Sequence, residues 1–297
     1  MIKTAIAEPS RRGLVFGAGA LAMAGCGAKP SKPPAGEPNN GPGEHSLEWA
    51  IAGDWRSAAD KARDRWRHPL ESLRFWGFDP SMTVVEFWPG TGWYTDVLAP
   101  CMTAAKGRLY AAALEPKDPS ARLVDQDYQR KLAARPDLYG AVTLTAFGPG
   151  SGPVAPAGSA DLVLFLRNLH NWMAAGLAEK AFHDALAALK PGGVLGIEEH
   201  RAAPGGVQDV LAASGYVQAA YVKQLAKEAG FVFGASSEIN ANPKDDHNHP
   251  FGVWTLPPER RSSARGRPPD PLFDHSKSDA VGESDRMTLK FLRPAGR

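Results

Sequence analysis

The chain has 297 residues, of which 43% are hydrophobic and 22% are charged, a balance typical of a globular protein. This length accommodates one large α/β domain with extensions. The formal net charge is +2, and all of it comes from residues 1–25, which carry Lys3, Arg11 and Arg12 against Glu8. A neutral remainder gives no electrostatic reason to propose nucleic-acid binding. One local basic cluster, typical of a solvated loop, comprises Arg260, Arg261, Arg265 and Arg267.

The N-terminus has the pattern of an export signal. Ser10–Phe16 contains a double arginine followed by apolar residues and resembles a twin-arginine signal. The apolar stretch Gly13–Gly25 is too short to span a bilayer as a mature anchor. Met23-Ala24-Gly25-Cys26 resembles a lipobox, whose cysteine is lipidated; cleavage at a small-residue site to give a soluble exported form is the alternative. The sequence thus predicts a periplasmic protein or a membrane-anchored lipoprotein of a bacterium, which contacts the membrane only through Cys26.

Composition divides the chain into three predicted segments. Residues 1–25 form the signal peptide, residues 26–45 a disordered linker and residues 46–297 a single domain. The linker is rich in Pro, Gly, Lys and Asn and has almost nothing to bury. Cys26 and Cys101 are the only cysteines, so lipidation of Cys26 would exclude both a disulfide framework and a cysteine-based metal site.

An N-terminal helical extension is predicted to open the domain. Apolar residues recur at helical spacing from Leu47 to Trp66, and the charged Asp60–Arg65 fits a solvated face. The stretch Arg63–Pro69 has two interpretations. It is either a helix end with surface ion pairs or a lid over a substrate.

The next segment combines a strand, a glycine turn and a helix. Met82–Phe87 is a run of β-branched and apolar residues, as in a buried parallel strand. It ends in the turn Pro89-Gly90-Thr91-Gly92, and an apolar segment of helical spacing follows. This arrangement presents backbone N–H groups to nucleotide-like ligands, and glycine permits the unusual dihedral angles and the close approach. A purely structural turn is the alternative.

These residues resemble motif I of the class I S-adenosylmethionine-dependent methyltransferases, an acidic residue followed by Gly-x-Gly-x-Gly. Glu86, Gly90 and Gly92 match the motif, and Trp88 replaces its first glycine. The version Trp-Pro-Gly-x-Gly-Trp-Tyr is similar to a group of exported, predicted methyltransferases. The resemblance implies an α/β fold, a Rossmann-like, doubly wound, mostly parallel seven-stranded sheet with an antiparallel last strand. It also implies S-adenosylmethionine as the cofactor, with Glu86, Trp88, Gly90 and Gly92 among the residues that bind it.

The predicted second strand, Arg108–Leu114, bears on ribose recognition. In the resembled family this strand ends in an acidic residue that holds the ribose hydroxyls, because a carboxylate accepts two hydrogen bonds at once. The matching position is Ala113, and the nearest acid, Glu115, lies one strand period further on. Glu115 is therefore predicted either as a cofactor contact or as a turn residue. The family's third acid, which contacts the adenine amine, has no counterpart after the strand Val142–Phe147.

The stretch Asp161–Trp172 carries the most chemistry. Its apolar run predicts a buried central strand, and polar side chains cluster where that strand ends. Ligands of open α/β sheets bind outside the carboxyl ends of the strands, so we expect a pocket lined by Arg167, Asn168, His170 and Asn171. His170 is predicted as a general base, Asn168 as the catalytic residue that orients the nucleophile or the cofactor, and Arg167 as a cofactor contact. Capping of the next helix is the alternative, favoured for Asn171.

A second strand ends in polar residues further along the chain. Leu189-Lys190-Pro191-Gly192-Gly193, followed by the apolar run Val194–Ile197, is similar to the fifth-strand region of the same family. Glu199 and His200 are additional pocket candidates, because they too lie at the carboxyl end of a predicted strand.

The C-terminal part departs from the periodic pattern. Asn240–His249 overlaps the start of a predicted loop insertion at 245–280. It contains carboxylates and imidazoles that could bind a metal, or an Asp246–His247 acid–base pair. Most polar runs of this kind are loops, so no metal ligand is assigned. Ser284–Phe291 alternates apolar and polar residues, which predicts a half-exposed edge strand.

Three functions follow from this sequence. The first is an S-adenosylmethionine-dependent methyltransferase of the cell envelope, acting on an unknown small molecule or envelope substrate; such an enzyme aligns a nucleophile with the sulfonium methyl and removes a proton. The second is a binding module that keeps the fold without catalysis, favoured by Trp88 and Ala113. The third is a metal-assisted enzyme using His170, His200, His247 or His249.

Overall fold

Short apolar segments form the centre of the domain as a seven-stranded sheet. The computed structural model describes residues 43, 45–115 and 119–296, so the predicted signal peptide, Cys26 and almost all of the predicted linker lie outside the described residues. The strands are β1 (Thr83–Phe87), β2 (Arg108–Leu114), β3 (Val142–Phe147), β4 (Ala160–Leu166), β5 (Leu189–His200), β6 (Val232–Ser237) and β7 (Arg286–Leu292).

The strand order confirms the predicted fold class. It is β3-β2-β1-β4-β5-β7-β6, and β7 runs antiparallel to both of its neighbours while the strands from β3 to β5 pair in parallel. The order reverses direction at β1 and β4, which lie side by side. Open sheets of this kind bind ligands at that switch point, outside the carboxyl ends of the strands.

Helices cover both faces of the sheet. They are α1 (Leu47–Ala52), α2 (Ala58–Lys61), α3 (Asp64–Arg67), α4 (Pro69–Trp76), α5 (Thr95–Ala105), α6 (Pro119–Ala134), α7 (Pro136–Tyr139), α8 (Leu169–Ala174), α9 (Ala178–Ala188), α10 (Ala219–Glu228) and α11 (Ser276–Val281). A 3-10 helix spans Gly252–Thr255. Among the described residues, none of the helices combines the length and the apolar character needed to cross a membrane.

The predicted helical extension is broken into short helices. A side chain at Gly53 would collide with the indole of Trp55, which turns back and donates to the carbonyl oxygen of Asp96 at 2.8 Å. Ser57 then caps α2 by accepting from the backbone N–H of Asp60. The helical spacing of the apolar residues is therefore real, but the chain bends so that their side chains reach α5.

Alternation along the strands divides the core in two. Val85 and Phe87 of β1 pack with Phe165 of β4 and Trp172 of α8 on one face, where neighbouring ring centroids lie 4.7–5.7 Å apart. Val84 faces the other side, towards α4 and α5. Each large side chain buried in this way stabilises the fold by roughly 1.5–3 kcal/mol.

The prediction of a half-exposed edge strand at the C-terminus is wrong. β7 lies between β5 and β6, and all but two of its seven residues are buried. Its polar residues are satisfied inside the protein: Thr288 accepts from Asn240, and Arg286 contacts two buried carboxylates. The alternation of polar and apolar residues in β7 therefore reflects one apolar and one polar buried face, and neither face is solvated.

Candidate functional site

The carboxyl ends of β1 and β4 carry the same unusual backbone feature. Each strand is followed by a residue other than glycine in the left-handed region, Trp88 with φ 45° and Arg167 with φ 61°. Asn168 joins the two ends, since its Nδ2 donates to the carbonyl oxygens of Phe87 at 3.3 Å and Trp88 at 3.1 Å. Backbone strain of this kind costs of order 1–3 kcal/mol per residue and concentrates at functional sites.

The two glycines of the turn have different roles. Gly92 has φ 87°, and a side chain there would lie 2.8 Å from the ring of Tyr128 on α6, so packing requires glycine. Gly90 has φ 60°, but a side chain there would meet no atom within 4 Å. The backbone at Gly90 is therefore open to a ligand.

The indole of Trp88 spans the rim from β1 to β3. Its Nε1 donates to the carbonyl oxygen of Phe147, the last residue of β3, at 2.9 Å. Its ring lies 5.7 Å from that of Trp172 and 6.1 Å from that of Phe147, and the residue is only partly buried. Trp88, predicted as a cofactor contact, thus has partners within the protein, and its cofactor contact stays a prediction.

Glu115 turns towards the loop after β3. Its backbone N–H donates to Phe147 at 3.3 Å, and its carboxylate accepts from the backbone N–H of Gly150, also at 3.3 Å. The side chain lies against Gly148. The contacts are those of a turn residue, one of the two interpretations of its sequence position, and its predicted cofactor contact stays a prediction.

Glu86 is buried beneath the turn. Its carboxylate accepts from Oγ1 of Thr95 on α5 at 2.7 Å, and Thr95 in turn lies 2.9 Å from the hydroxyl of Tyr128. Burial raises the pKa of Glu86 to about 7, although the hydrogen bond from Thr95 lowers it. In the described structure Glu86 joins α5 to β1, and its predicted cofactor contact stays a prediction.

The raised pKa of Glu86 gives a testable pH dependence. Its ordinary pKa is 4.5, so between about pH 4.5 and 7 the folded state holds more of this proton than the unfolded state. The contribution of Glu86 to the free energy of unfolding therefore falls as the pH rises through this window. We expect Glu86→Gln to flatten the fall in urea-unfolding free energy from pH 5 to pH 8. The exposed Glu71→Gln should keep the wild-type slope, and an unchanged slope in Glu86→Gln would contradict the prediction.

His170, on the first turn of α8, and Glu199, near the end of β5, form a buried pair. Nδ1 of His170 lies 2.9 Å from Oε1 of Glu199, while Oε2 accepts from the backbone N–H of His170 at 3.3 Å. Oε1 also accepts from the backbone N–H of His200 at 2.8 Å. This network assigns the ring proton of His170 to Nδ1 and leaves Nε2, which has no hydrogen-bond partner among the described residues, as the basic nitrogen.

Other aromatic rings surround this pair. The His200 ring lies 5.0 Å from that of His170, and its Nδ1 is 2.5 Å from Oγ of Ser284. Burial, then the nearby His170, Arg286 and Arg167, lower the pKa of His200 well below its usual value. The predicted pocket candidates Glu199 and His200 are therefore brought together with His170. The ring of Trp254 lies 5.8 Å from that of His170, and no pattern in the sequence indicated this contact.

An ion network that the sequence did not predict adjoins the pair. Buried Glu198 accepts from Tyr94 at 3.1 Å and lies 3.2 Å from both Arg167 and Arg286. Arg286 continues to Glu283 at 2.7 Å. Successive residues of a strand face opposite sides, so Glu198 and Glu199 lie on opposite faces of β5. This alternation was the signal in the sequence for a second polar site beneath the rim.

Two arginines of the N-terminal extension complete this network. Nε of Arg63 and Nε of Arg67 contact the carboxylate of Glu283 at 2.8 and 3.0 Å. Burial acts to raise the pKa of Glu283, but Arg286, Arg63 and Arg167 lower it below its usual value. The stretch Arg63–Pro69 thus ends a helix with ion pairs, as one interpretation held, but these pairs are largely buried and attach the extension to the segment before β7.

The histidines of the C-terminal loop make a different pairing from the predicted one. Asp245, not Asp246, is buried and contacts Nε2 of His249 at 2.8 Å. Asp245 also accepts from the hydroxyl of Tyr216, while Asp246 lies on the surface and pairs with Lys277. Among the described residues, two groups have the composition of a metal site, with their ligand atoms within 4.8 Å of one another inside each group. One is His170 with Glu199 and His200, and the other is Asp245 with Asp246 and His249.

Comparison with known proteins establishes the fold. No protein-family model matches the chain, and no curated protein matches it. Among solved structures, a chain from the complex of the Haloferax volcanii Trm112 methyltransferase activator with its methyltransferase has a TM-score of 0.50 at 15% identity, over 84% of this chain and 96% of that one. A SAM-dependent methyltransferase from Aquifex aeolicus has a TM-score of 0.49 at 17% identity, over 60% and 87%.

A third solved structure is the N-methyltransferase NodS from Bradyrhizobium japonicum WM9 in complex with S-adenosyl-L-homocysteine. It has a TM-score of 0.46 at 16% identity, over 84% of this chain and 98% of that one. Identities this low establish architecture alone. The chain has the Rossmann-like methyltransferase fold, and its chemistry has to be argued from its own residues.

Proposed function

We propose that the chain is an S-adenosylmethionine-dependent methyltransferase that acts in the cell envelope on a small-molecule or envelope substrate. The observation that supports the activity best is the joined pair of strained strand ends, with the free backbone of Gly90 on one side and the His170–Glu199 pair on the other. The envelope location depends on the N-terminal sequence, which lies outside the described residues.

The residues at the turn fit one half of such a cofactor directly. The backbone at Gly90 meets no other atom where a side chain would stand, and Asn168 fixes the carbonyl groups beside it. On the nucleoside side the fit depends on Trp88, whose partly exposed indole offers an apolar face for stacking against a purine. When bound, the cofactor supplies an activated methyl group.

Residues of the chain would then align the methyl acceptor and remove its proton. Glu199 fixes the ring of His170 through Nδ1, so that Nε2 can take a proton from the nucleophile. The same carboxylate stabilises the imidazolium that results. Asn168 holds the strand ends at a constant distance, so a methyl acceptor beside His170 stays aligned with the turn.

A specific observation also favours the second candidate, a binding module without catalysis. The indole of Trp88 lies against Phe147, and Glu115 is engaged with Gly150, so two residues predicted for the nucleoside already have partners in the protein. If the indole fills the nucleoside position, the scaffold would bind a different, smaller ligand.

Calorimetric titration of the full-length chain with S-adenosylmethionine and S-adenosylhomocysteine tests these proposals. We expect saturable binding, and a weakening of about 2- to 12-fold in Trp88→Gly, because a lost aromatic stack is worth roughly 0.5–1.5 kcal/mol. Trp49→Gly, which removes a partly buried indole from α1, should leave the affinity unchanged. Absence of a signal at millimolar cofactor would defeat the methyltransferase proposal, and binding by Trp88→Gly alone would support the binding module.

A further inference from the structure

The ion network beside the rim contains more cations than anions. Three guanidinium groups contact Glu283, and two contact Glu198, with Arg286 shared between them. In this network four arginines therefore share two carboxylates; they are Arg63, Arg67, Arg167 and Arg286. Positive charge held in a partly buried cluster is costly unless an anion neutralises it.

Three of these arginines also keep hydrogen-bond donors in reserve. Arg63 and Arg67 contact Glu283 through Nε, and neither makes a hydrogen bond through Nη1 or Nη2 within the described ranges. Arg167 uses only Nη1. None of these remaining nitrogens is both buried and without a hydrogen-bond partner. The side chains of Arg63 and Arg167 are 24% and 14% exposed. A guanidinium fork of this kind matches a carboxylate or a phosphate.

The arginines with free donors contact residues that border the candidate site. The guanidinium of Arg67 is 4.8 Å from the ring of Trp93, which directly follows the glycine turn. Arg167 is one of the two strained strand-end residues, and its partner Glu198 precedes Glu199. At the other end of the network, Ser284 follows Glu283 and contacts His200. The network thus borders the turn through Trp93 and reaches the His170–Glu199 pair through Ser284 and His200.

We propose that Arg63, Arg67 and Arg167 bind the carboxylate or phosphate group of an anionic methyl acceptor. That the anion is a methyl acceptor rests on the proposed function. The anion site itself rests only on the ion network. An anion held there neutralises the excess charge and presents the remainder of the molecule to His170. The stretch Arg63–Pro69 then serves recognition in addition to attaching the extension.

The competing explanation is that the network only fastens the N-terminal extension to the segment before β7. Both explanations predict that losing Arg63 lowers stability. They differ in anion binding, because a purely structural network gives the reserved nitrogens no ligand.

Titration of the full-length chain with inorganic phosphate and with acetate, without S-adenosylmethionine, distinguishes the two. Ionic strength is held constant with sodium chloride so that general screening cannot imitate binding. We expect saturable binding of at least one anion, with a dissociation constant about 10-fold higher in Arg63→Gln because one charge-assisted contact is lost. Arg63→Lys should recover part of the affinity, since it keeps the charge without the fork. Arg74→Gln, which removes an exposed partner of Glu48, should match the wild type.

Two results would overturn the proposal. One is the failure of both anions to bind the wild-type chain in a saturable manner, and the other is equal affinity in the wild type and Arg63→Gln when circular dichroism shows both folded. Phosphate or acetate binding without cofactor binding would uphold the anion site and remove the methyltransferase function. Cofactor binding without anion binding would do the reverse.

Discussion

Glu199→Gln is expected to slow methyl transfer by about 10²- to 10⁴-fold, the range associated with a positioned general base. The carboxylate of Glu199 accepts from Nδ1 of His170 and from the backbone N–H groups of His170 and His200. A glutamine keeps the shape but replaces one acceptor oxygen with a donor, so one contact is lost. It also carries no charge to stabilise the imidazolium, and the proton on His170 is no longer confined to Nδ1. Binding of S-adenosylmethionine should not change, because Glu199 does not lie at the turn.

Two measurements check this positioning role. The rate is followed as S-adenosylhomocysteine released when the purified chain is mixed with S-adenosylmethionine and a small-molecule extract of the bacterial envelope. Nitrogen-15 NMR of the His170 ring reports which nitrogen carries the proton, a property that a merely structural residue would not alter. Glu179→Gln, on the exposed first turn of α9, serves as the control. Wild-type rate together with an unchanged ring tautomer in Glu199→Gln would refute the assignment.

Glu283→Gln is expected to lower the free energy of unfolding by about 3–5 kcal/mol, the cost of removing one partner from a buried ion pair. Glu283 is buried and contacts Arg63, Arg67 and Arg286, of which Arg286 is 1% exposed. Without this carboxylate, three guanidinium groups retain their desolvation cost but lose their common partner. The lowered pKa of Glu283 adds a pH signature: its contribution is present above its ordinary pKa and is lost as the pH falls through the folded value.

Urea unfolding followed by far-ultraviolet circular dichroism measures the loss. The matched control is Glu48→Gln, which removes the exposed partner of Arg74 and should cost no more than about 1 kcal/mol. A cost below 1 kcal/mol for Glu283→Gln would show that water already solvates the network. That result would also weaken the argument that its excess charge needs an anion.

Local pattern predicted individual strands, and the family resemblance implied the sheet that they form. Runs such as Met82–Phe87 and Asp161–Leu166 are apolar because both faces of a parallel strand are covered, and the glycine turn fixes where β1 ends. The position of β7 could not be read in the same way. Whether a polar residue such as Thr288 faces water or another buried polar group depends on a partner, here Asn240, that is distant in sequence.

The residues at the candidate site could also be predicted from the sequence only in part. Ligands of open α/β sheets bind outside the carboxyl ends of the strands, so His170, Asn168 and Arg167 could be assigned to one rim from the sequence. Their partners became known only from the structure. The partner of Arg63 and Arg67 is more than 200 residues away, so charge pattern alone described their ion pairs as surface pairs. The roles of Glu86, Trp88 and Glu115 stay predictions, because each side chain has a partner inside the protein that its sequence position did not disclose.

The insertion of β7 between β5 and β6 has a consequence for how the chain matures. β7, which spans Arg286–Leu292, comes last in chain order among the described strands, yet it supplies the hydrogen-bonding edge for both neighbours. A chain still growing on the ribosome therefore has an open edge at β5, an unattached β6 and no partner for Arg286. The sheet closes, and the ion network assembles with it, only after β7 has been synthesised.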